Sequence, residues 1–438
     1  MALTLYRLLF LPAFILLLPY YLMRMWRRGG YAAGLSNRFG HTRGLPAKRP
    51  GVKRIWIQAV SVGELNAIGP LLVSLSSRES IEMVLTTTTS TGLRLARERY
   101  QQLVAWIGSF PIDFWPFSRL AWHQIQPDLI LLMEGELWPE HIHQGWRRRV
   151  PIVVINGRLS ERSFARQKRL SSLGKGLFHK ISLILAGSEL DRQRFAQLNW
   201  IQPGKILNSG NLKFDFAPPP PLTPEERNTL LQSFGFAASA HEASGIEVMM
   251  GSSTWPGEET ALLDAFRSLF PDFPQLRLLM VPRHAERRRE IESILRGTGL
   301  PYHFRSDGPV APAGTLVYIG DTTGELKALT RLATLVFVGK SLPPNAGGQT
   351  PMEAAALGKP LILGPNMGNF STVTRQLLQA NAARQIAGTA ELLPAVRALL
   401  TDTDDRGGMA GRAASLMRAG QGATQRTVAQ ILSLLRQP

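Results

Sequence analysis

RIWIQAVSVGELNAIGPLLVSLSS, residues 54 to 77, holds one complete unit of a fold. Arg54–Val60 is a nearly continuous apolar run, as expected of a parallel strand buried on both faces. Ser61-Val62-Gly63 breaks it, and Glu64–Ser77 is long enough for a crossover helix. Working outward, Met83–Thr88, Leu129–Met133, Ile152–Ile155 and Leu183–Ala186 repeat the strand pattern, with helical stretches such as Glu161–Leu177 between them. After Ala217 come four consecutive prolines, Pro218–Pro221, which neither a strand nor a helix interior accepts. Thr223-Pro224-Glu225-Glu226 then starts a helix. Glu247–Gly251, Leu276–Val281, Thr315–Ile319, Leu335–Gly339 and Pro360–Leu363 repeat the alternation. The sequence therefore predicts an α/β chain of two doubly wound, Rossmann-like domains facing a cleft, with ligands beyond the carboxyl ends of the strands.

Ahead of the first strand, Leu8–Met23 is an uncharged run of 16 residues, with Arg7 before it and Arg24, Arg27 and Arg28 after it. As a helix it spans about 24 Å, short of the ~30 Å hydrocarbon core. Leu3–Tyr6 makes up the length if Arg7 snorkels to the headgroups. Tyr20, Tyr21 and Trp26 stand where interfacial aromatics belong. A cleaved signal peptide would carry its charge ahead of the apolar run and small residues behind it; here both are reversed. The expected organisation is an anchor over residues 1–29, a first domain over 30–216 and a second over 217–438. The positive-inside rule leaves everything after Met23 in the cytoplasm.

The 438 residues carry 50 Lys+Arg against 32 Asp+Glu, a net charge of +18. No acid precedes Glu64, whereas ten basic residues do, a block suited to anionic lipid. With no cysteine, disulfides, thiolate metal sites and a cysteine nucleophile are excluded. Gly339-Lys340-Ser341 imitates the end of a P-loop, but Thr334 stands where the first glycine is required. His141 and His143 suit a solvated surface better than zinc, and Asp402-x-Asp404 reads as a solvated turn. Gly320–Leu326 and Gly347–Glu353 each follow a strand and open a helix, so their backbone suits an anion. Thr350-x-x-Glu353 also fits a capping box, the stronger reading of that motif alone. Arg283-His284 ends a strand as a cationic pair.

These stretches together resemble the 3-deoxy-D-manno-octulosonic acid (Kdo) transferases of glycosyltransferase family 30. The resemblance runs through Asn37–Gly40, Ala59–Glu64, Thr86–Gly92, Met133–Pro139, Gly157–Ser163 and Gly210–Asp215 in the first half. The second half adds Ser253-Thr254, Gly257–Glu259, Val281–His284, Gly320–Thr322, Gly324–Leu326 and Asn369-Phe370. It implies a GT-B fold and inverting transfer of Kdo from CMP-Kdo to an anionic glycolipid, the lipid A precursor (lipid IVA), at the cytoplasmic face of the bacterial inner membrane. Glu64 matches the catalytic base. Arg283, His284, Gly324, Glu325, Leu326, Gly348, Glu353 and Asn369 fall in the donor site, and Ser61, Gly63, Arg94 and Arg158 in the acceptor site. The implied partners are the donor, the glycolipid and inner-membrane lipids, with no cofactor, no metal and no nucleic acid. Departures from the family pattern are Gln58, Trp255 and Gln349 in place of His, Thr350 for Asn, Lys340 for Gly, Thr330 for Tyr and Thr334 for Asp. The alternative is a divergent GT-B homologue with a changed donor or acceptor, or a membrane-bound protein without catalysis.

Overall fold

The computed structural model describes residues 2–28, 34–215 and 218–436, without the side chains of Leu22 and residues 24–28. The expected boundaries at 29/30 and 216/217, and the side chains of Arg24, Trp26, Arg27 and Arg28, thus lie outside the described residues.

The chain forms two compact units. In the first, seven parallel strands lie in the order β3-β2-β1-β4-β5-β6-β7. They are β1 Lys53–Gln58, β2 Ile81–Thr87, β3 Trp106–Ser109, β4 Leu129–Met133, β5 Ile152–Gly157, β6 Leu183–Ala186 and β7 Ile206–Asn208. Chain order reverses between β1 and β4, so the loop leaving β1 opens at the switch point of the sheet. Side-chain alternation sends Ile55 and Ile57 of β1 to one face, under Leu65, Ile68, Leu72 and Leu75 of the helix Val62–Ser76. Trp56 goes to the other, against Trp122 and Phe110. Each such fully buried side chain contributes about 1.5–3 kcal/mol, so both helix layers are firmly held.

The second unit repeats the plan in the order β10-β11-β9-β8-β12-β13-β14, again all parallel. Its strands are β8 Glu247–Thr254, β9 Leu276–Pro282, β10 Tyr302–Phe304, β11 Val317–Ile319, β12 Leu335–Val338, β13 Leu361–Leu363 and β14 Arg384–Gln385. Thr223 and Glu226 form a complete capping box at the helix Pro224–Ser233, as the sequence indicates. The stretch read as one helix over Glu161–Leu177 is two, Glu161–Arg169 and Ser171–Phe178, broken at Leu170.

Two expectations need correcting. The last described residues do not stay with the second unit: residues 420–436 belong to the first. The Asp215 carboxylate accepts the N–H groups of Gly422 and Thr424, and Val428 and Ile431 of the helix Ala423–Arg436 enter the core beside Leu71 and Leu75. That carboxylate serves as an anion for the first turn of the helix.

Nor is Arg7 free to snorkel. One helix, Ala2–Arg28, carries the apolar run and is long and apolar enough to cross a membrane. Its first turns dock on the first unit. Arg7 donates from Nε and Nη2 to both oxygens of Glu140 (2.8 and 2.9 Å), and the Tyr6 hydroxyl donates to Asp113 Oδ2 at 2.6 Å. Phe10 stacks on Phe114 with ring centres 5.3 Å apart. Glu140 and Asp113 are buried, whereas Leu8, Leu9, Ile15, Leu16, Tyr20 and Tyr21 are exposed.

Candidate functional site: two clusters at the strand ends

In the first unit, the loop leaving β1 delivers Glu64 to the first turn of the helix Val62–Ser76. Ser61 caps that helix: its hydroxyl accepts the Glu64 N–H and donates to Glu64 Oε1 at 3.3 Å. Glu64 Oε2 accepts the Val60 N–H at 2.8 Å. The carboxylate is thereby fixed on both sides by its own loop. Burial raises its pKa to about 7, and the nearby charges of Glu134 and Glu136 push the same way against the lowering hydrogen bonds from Val60 and Ser61. A carboxyl group held near neutrality is suited to taking a proton from a hydroxyl. Gly63 keeps the space above this turn open: a Cβ there would meet only Ser61 Oγ, at 3.8 Å.

The carboxyl ends of β4 and β5 supply the rest of the cluster. Glu134, in left-handed backbone (φ 54°), accepts Lys213 Nζ at 2.7 Å and lies 3.7 Å from Arg158. Asn156, also left-handed, donates to Glu134 and accepts the Leu212 N–H at 3.0 Å. The pKa of Glu136 is raised, first by burial and then by Glu134. Arg158, expected in the acceptor site, lies in an ion-pair cluster at the strand ends. Arg94 does not: it points to solvent from the helix Ser90–Tyr100 beside Glu98. Sequence reading missed Glu134, Asn156 and Lys213 as interacting residues. The signal for Glu134 and Lys213 was present only as the motifs Met133–Pro139 and Gly210–Asp215, and Asn156 lay outside every quoted motif.

In the second unit the organising group is Glu258, quoted in a motif but given no role from the sequence. Its buried carboxylate accepts four backbone N–H groups, from Trp255 (2.9 Å), Lys340 (2.8 Å), Ser341 (2.8 Å) and Leu342 (3.1 Å). It thereby joins the loop after β8 to the loop after β12. The two strand ends touch at Gly339, where a Cβ would come 2.3 Å from Ser253 O. Lys340 N–H is held in this hub with φ 59°, and its ammonium lies 4.3 Å from the Trp255 ring, which meets His284 edge-on at 5.2 Å. Two departures from the family pattern, Trp255 and Lys340, are thus one contact. Of the other departures, Gln58 is buried between Thr86 and Thr88, and Thr334 accepts the Val248 N–H at 2.9 Å.

Arg283 follows β9, anchored by its N–H to Thr254 O at 3.1 Å, with its side chain exposed. Gly347 and Gly348 have positive φ and press against Asn369 and Met367, where a Cβ on either would clash at 2.6 or 2.5 Å. Asn369 N–H closes this cradle onto Gly347 O at 2.8 Å. Glu325 is occupied by Arg305 at 3.0 Å and by the Thr322 hydroxyl, so of Gly324-Glu325-Leu326 the backbone rather than the carboxylate is left for a ligand.

The expected capping box at Thr350-x-x-Glu353 does not form. Thr350 Oγ1 accepts the Met352 N–H at 3.3 Å instead, and the helix Met352–Ala356 has no side-chain cap. Glu353 is left with Oε2 buried and without a hydrogen-bond partner, its pKa raised by burial. A buried acceptor without a donor is costly unless a ligand supplies one.

Among the described residues no three His, Asp or Glu side chains gather in a metal-holding group. His141 is not on a solvated surface as expected. It is fully buried, accepts Trp122 Nε1 at 3.2 Å, and burial lowers its pKa to about 3. Asp402 is exposed, and its Oδ1 accepts the Asp405 N–H at 2.8 Å at the start of the helix Thr403–Ala419.

Two parallel seven-stranded sheets with helices on both faces define the GT-B class of glycosyltransferase folds. Solved structures share it at low identity. A UDP-N-acetylglucosamine 2-epimerase from Neisseria meningitidis is 13% identical (TM-score 0.55, 87% of this chain, 100% of that one). A putative one from Listeria monocytogenes is also 13% identical (TM-score 0.58, 87% and 96%). The family described as 3-deoxy-D-manno-octulosonic-acid transferase (kdotransferase) matches residues 33–216. Over most of its length the chain resembles curated 3-deoxy-D-manno-octulosonic acid transferases. The Haemophilus influenzae protein is 31% identical (93% of this chain, 91% of that one), and the Bordetella pertussis protein 30% (94% and 95%). A probable mitochondrial one from Arabidopsis thaliana is 32% identical (84% and 81%). The chain belongs to the 3-deoxy-D-manno-octulosonic acid transferase family and is a glycosyltransferase.

Proposed function

We propose that this protein transfers Kdo from CMP-Kdo to a lipid A precursor, lipid IVA, by a single inverting displacement without a metal ion, at the cytoplasmic face of a bacterial inner membrane. The acceptor hydroxyl attacks the anomeric carbon, its proton passes to Glu64, and the bond to CMP breaks with its electron pair leaving on the phosphate. The observation that carries this reading is the Glu64 carboxyl group, held by Ser61 and Val60 at the switch point with its pKa near 7. Lys213 and Arg158, beside Glu134, are the cations offered to the phosphates of the acceptor. The departing CMP carries one phosphate, which Arg283 and fixed backbone donors at Gly324–Leu326 can stabilise without a divalent ion. The exposed apolar face of the helix Ala2–Arg28 supports membrane association.

Incubation of the purified protein with CMP-Kdo and lipid IVA is expected to give a product heavier by one or more Kdo units. Failure of folded protein to do so, beside an active relative, overturns the reading. CMP binding without turnover under those conditions identifies a non-catalytic member instead.

Glu353 gives a separate test of the donor site. Its orphaned oxygen fits the hydroxyl groups of a ribose, so Glu353→Ala is expected to weaken CMP binding about tenfold or more, a loss of ~1.4 kcal/mol or more. Calorimetric titration with CMP measures it; unchanged affinity removes Glu353 from the donor site.

A further inference from the structure

At the amino-terminal edge of the second sheet, away from the strand ends that carry the candidate site, three cations surround one cavity of about 200 Å³. Arg227 comes from the helix Pro224–Ser233, Arg331 from the helix Leu326–Leu332 and Lys359 from the turn before β13. Pro221 and Leu222, at the end of the proline run, complete the wall.

Backbone carbonyls take some of the hydrogen bonds of these cations without neutralising their charge. Arg227 donates to Ala243 O and Ile246 O (3.1 and 2.7 Å), and Lys359 Nζ to Arg331 O at 2.8 Å. Arg331 reaches Pro221 O at 3.3 Å and, at 3.4 Å, Glu226, an exposed carboxylate already engaged in the capping box. Among the described residues neither Arg227 nor Lys359 forms an ion pair; the one carboxylate whose charge acts on Arg227 is Glu247, itself paired with Arg406. Arg331 Nε is buried with no hydrogen-bond partner at all. Lys359 shows the resulting stress: burial, and then the charge of Arg227, lower its pKa to about 8. Desolvated cations gathered around a space, one with an unused guanidinium donor, favour an anion there.

We propose that this cavity is a binding site for a phosphate-class oxyanion, held between Arg227, Arg331 and Lys359. The charge-assisted donors suit tetrahedral oxygens, and the volume admits inorganic phosphate or the phosphate end of a small monoester. A bound anion would tie Pro221 to the helix of Arg331, fixing the point where the chain enters the second unit.

The test is calorimetric titration of the full-length protein in detergent with inorganic phosphate, and in parallel with glycerol 3-phosphate. CMP is kept saturating so that its own phosphate subsite is filled. One phosphate per chain, with Kd at or below about 1 mM, is expected. Binding of both probes marks a site open to monoesters; binding of phosphate alone marks one closed around the free ion. Lys359→Met and Arg331→Gln should each weaken phosphate at least about tenfold. Lys359→Met should also unfold, without phosphate, at the same temperature as the parent or higher, because it removes a desolvated charge. No binding at millimolar phosphate, or binding that both variants leave unchanged, overturns the proposal. Should Lys359→Met fail to fold, Arg331→Gln decides the question alone. None of these readouts depends on Kdo transfer.

Discussion

Glu64→Gln is expected to lower the turnover number by about 10²–10⁴-fold while leaving CMP binding intact. The substitution keeps the size of the side chain and an oxygen for the Val60 N–H, but removes the atom that takes the proton. The pH dependence follows from the same residue. Its folded pKa, near 7, stands above the ordinary carboxylate value, so the base is available only as pH rises through neutrality. The activity of the parent enzyme should climb along an acid limb centred near pH 7, and the residual activity of the variant should lack that limb. Stability should move the other way. A carboxyl group with a raised folded pKa favours the fold while it is protonated, and that contribution is lost as pH rises through 7. At pH 8 the Gln variant should therefore unfold at a temperature no lower than the parent. Rate measurements over pH 5.5–9, with thermal unfolding alongside, check both; a full-rate variant removes Glu64 from the chemistry.

Glu258→Ala is expected to be the most damaging substitution for the second unit. Four backbone N–H groups lose a shared buried acceptor at once. Leaving a buried donor unsatisfied costs about 1–3 kcal/mol; with water entering to replace part of the loss, a net destabilisation of roughly 3–5 kcal/mol is expected. Because the four donors lie in two loops, CMP affinity should fall even where the protein remains folded. Denaturant unfolding followed by CMP titration measures the two effects. Near-parental stability would show that Glu258 is not the hub.

The long central strands were readable because parallel strands buried on both faces are written as apolar runs. The four that escaped, β3, β7, β10 and β14, are the edge strands of the two sheets and are only partly buried, so no continuous apolar run marks them. The return of residues 420–436 to the first unit also had no local sign, since the chain passes from one helix to the next through Gly420 without a change of composition. At the site, the place of Glu64 in the first helical turn after a strand could be read because strand, turn and helix are contiguous; its role came only from the resemblance. Glu134 and Lys213 could not be paired, being 79 residues apart. The Glu258 hub was hidden for the same reason: its donors at Lys340–Leu342 belong to another loop. Thr350-x-x-Glu353 fails differently. The pattern allows a cap, but Thr350 binds one residue short of the position a capping box needs, and only the tertiary structure decides which N–H it takes.

The docking of the first turns of the helix Ala2–Arg28 bears on how this enzyme can be handled. Tyr6 and Arg7 are the counterparts of two carboxylates inside the first unit, Asp113 and Glu140. Burial holds the pKa of Asp113 at about 6 even with the Tyr6 hydroxyl in place. A version made by deleting the helix would leave Asp113 and Glu140 buried with only the Glu140 and His141 N–H groups and the Gln144 amide as partners. Its instability would then be an electrostatic wound, cured by neutralising those two side chains rather than by adding lipid.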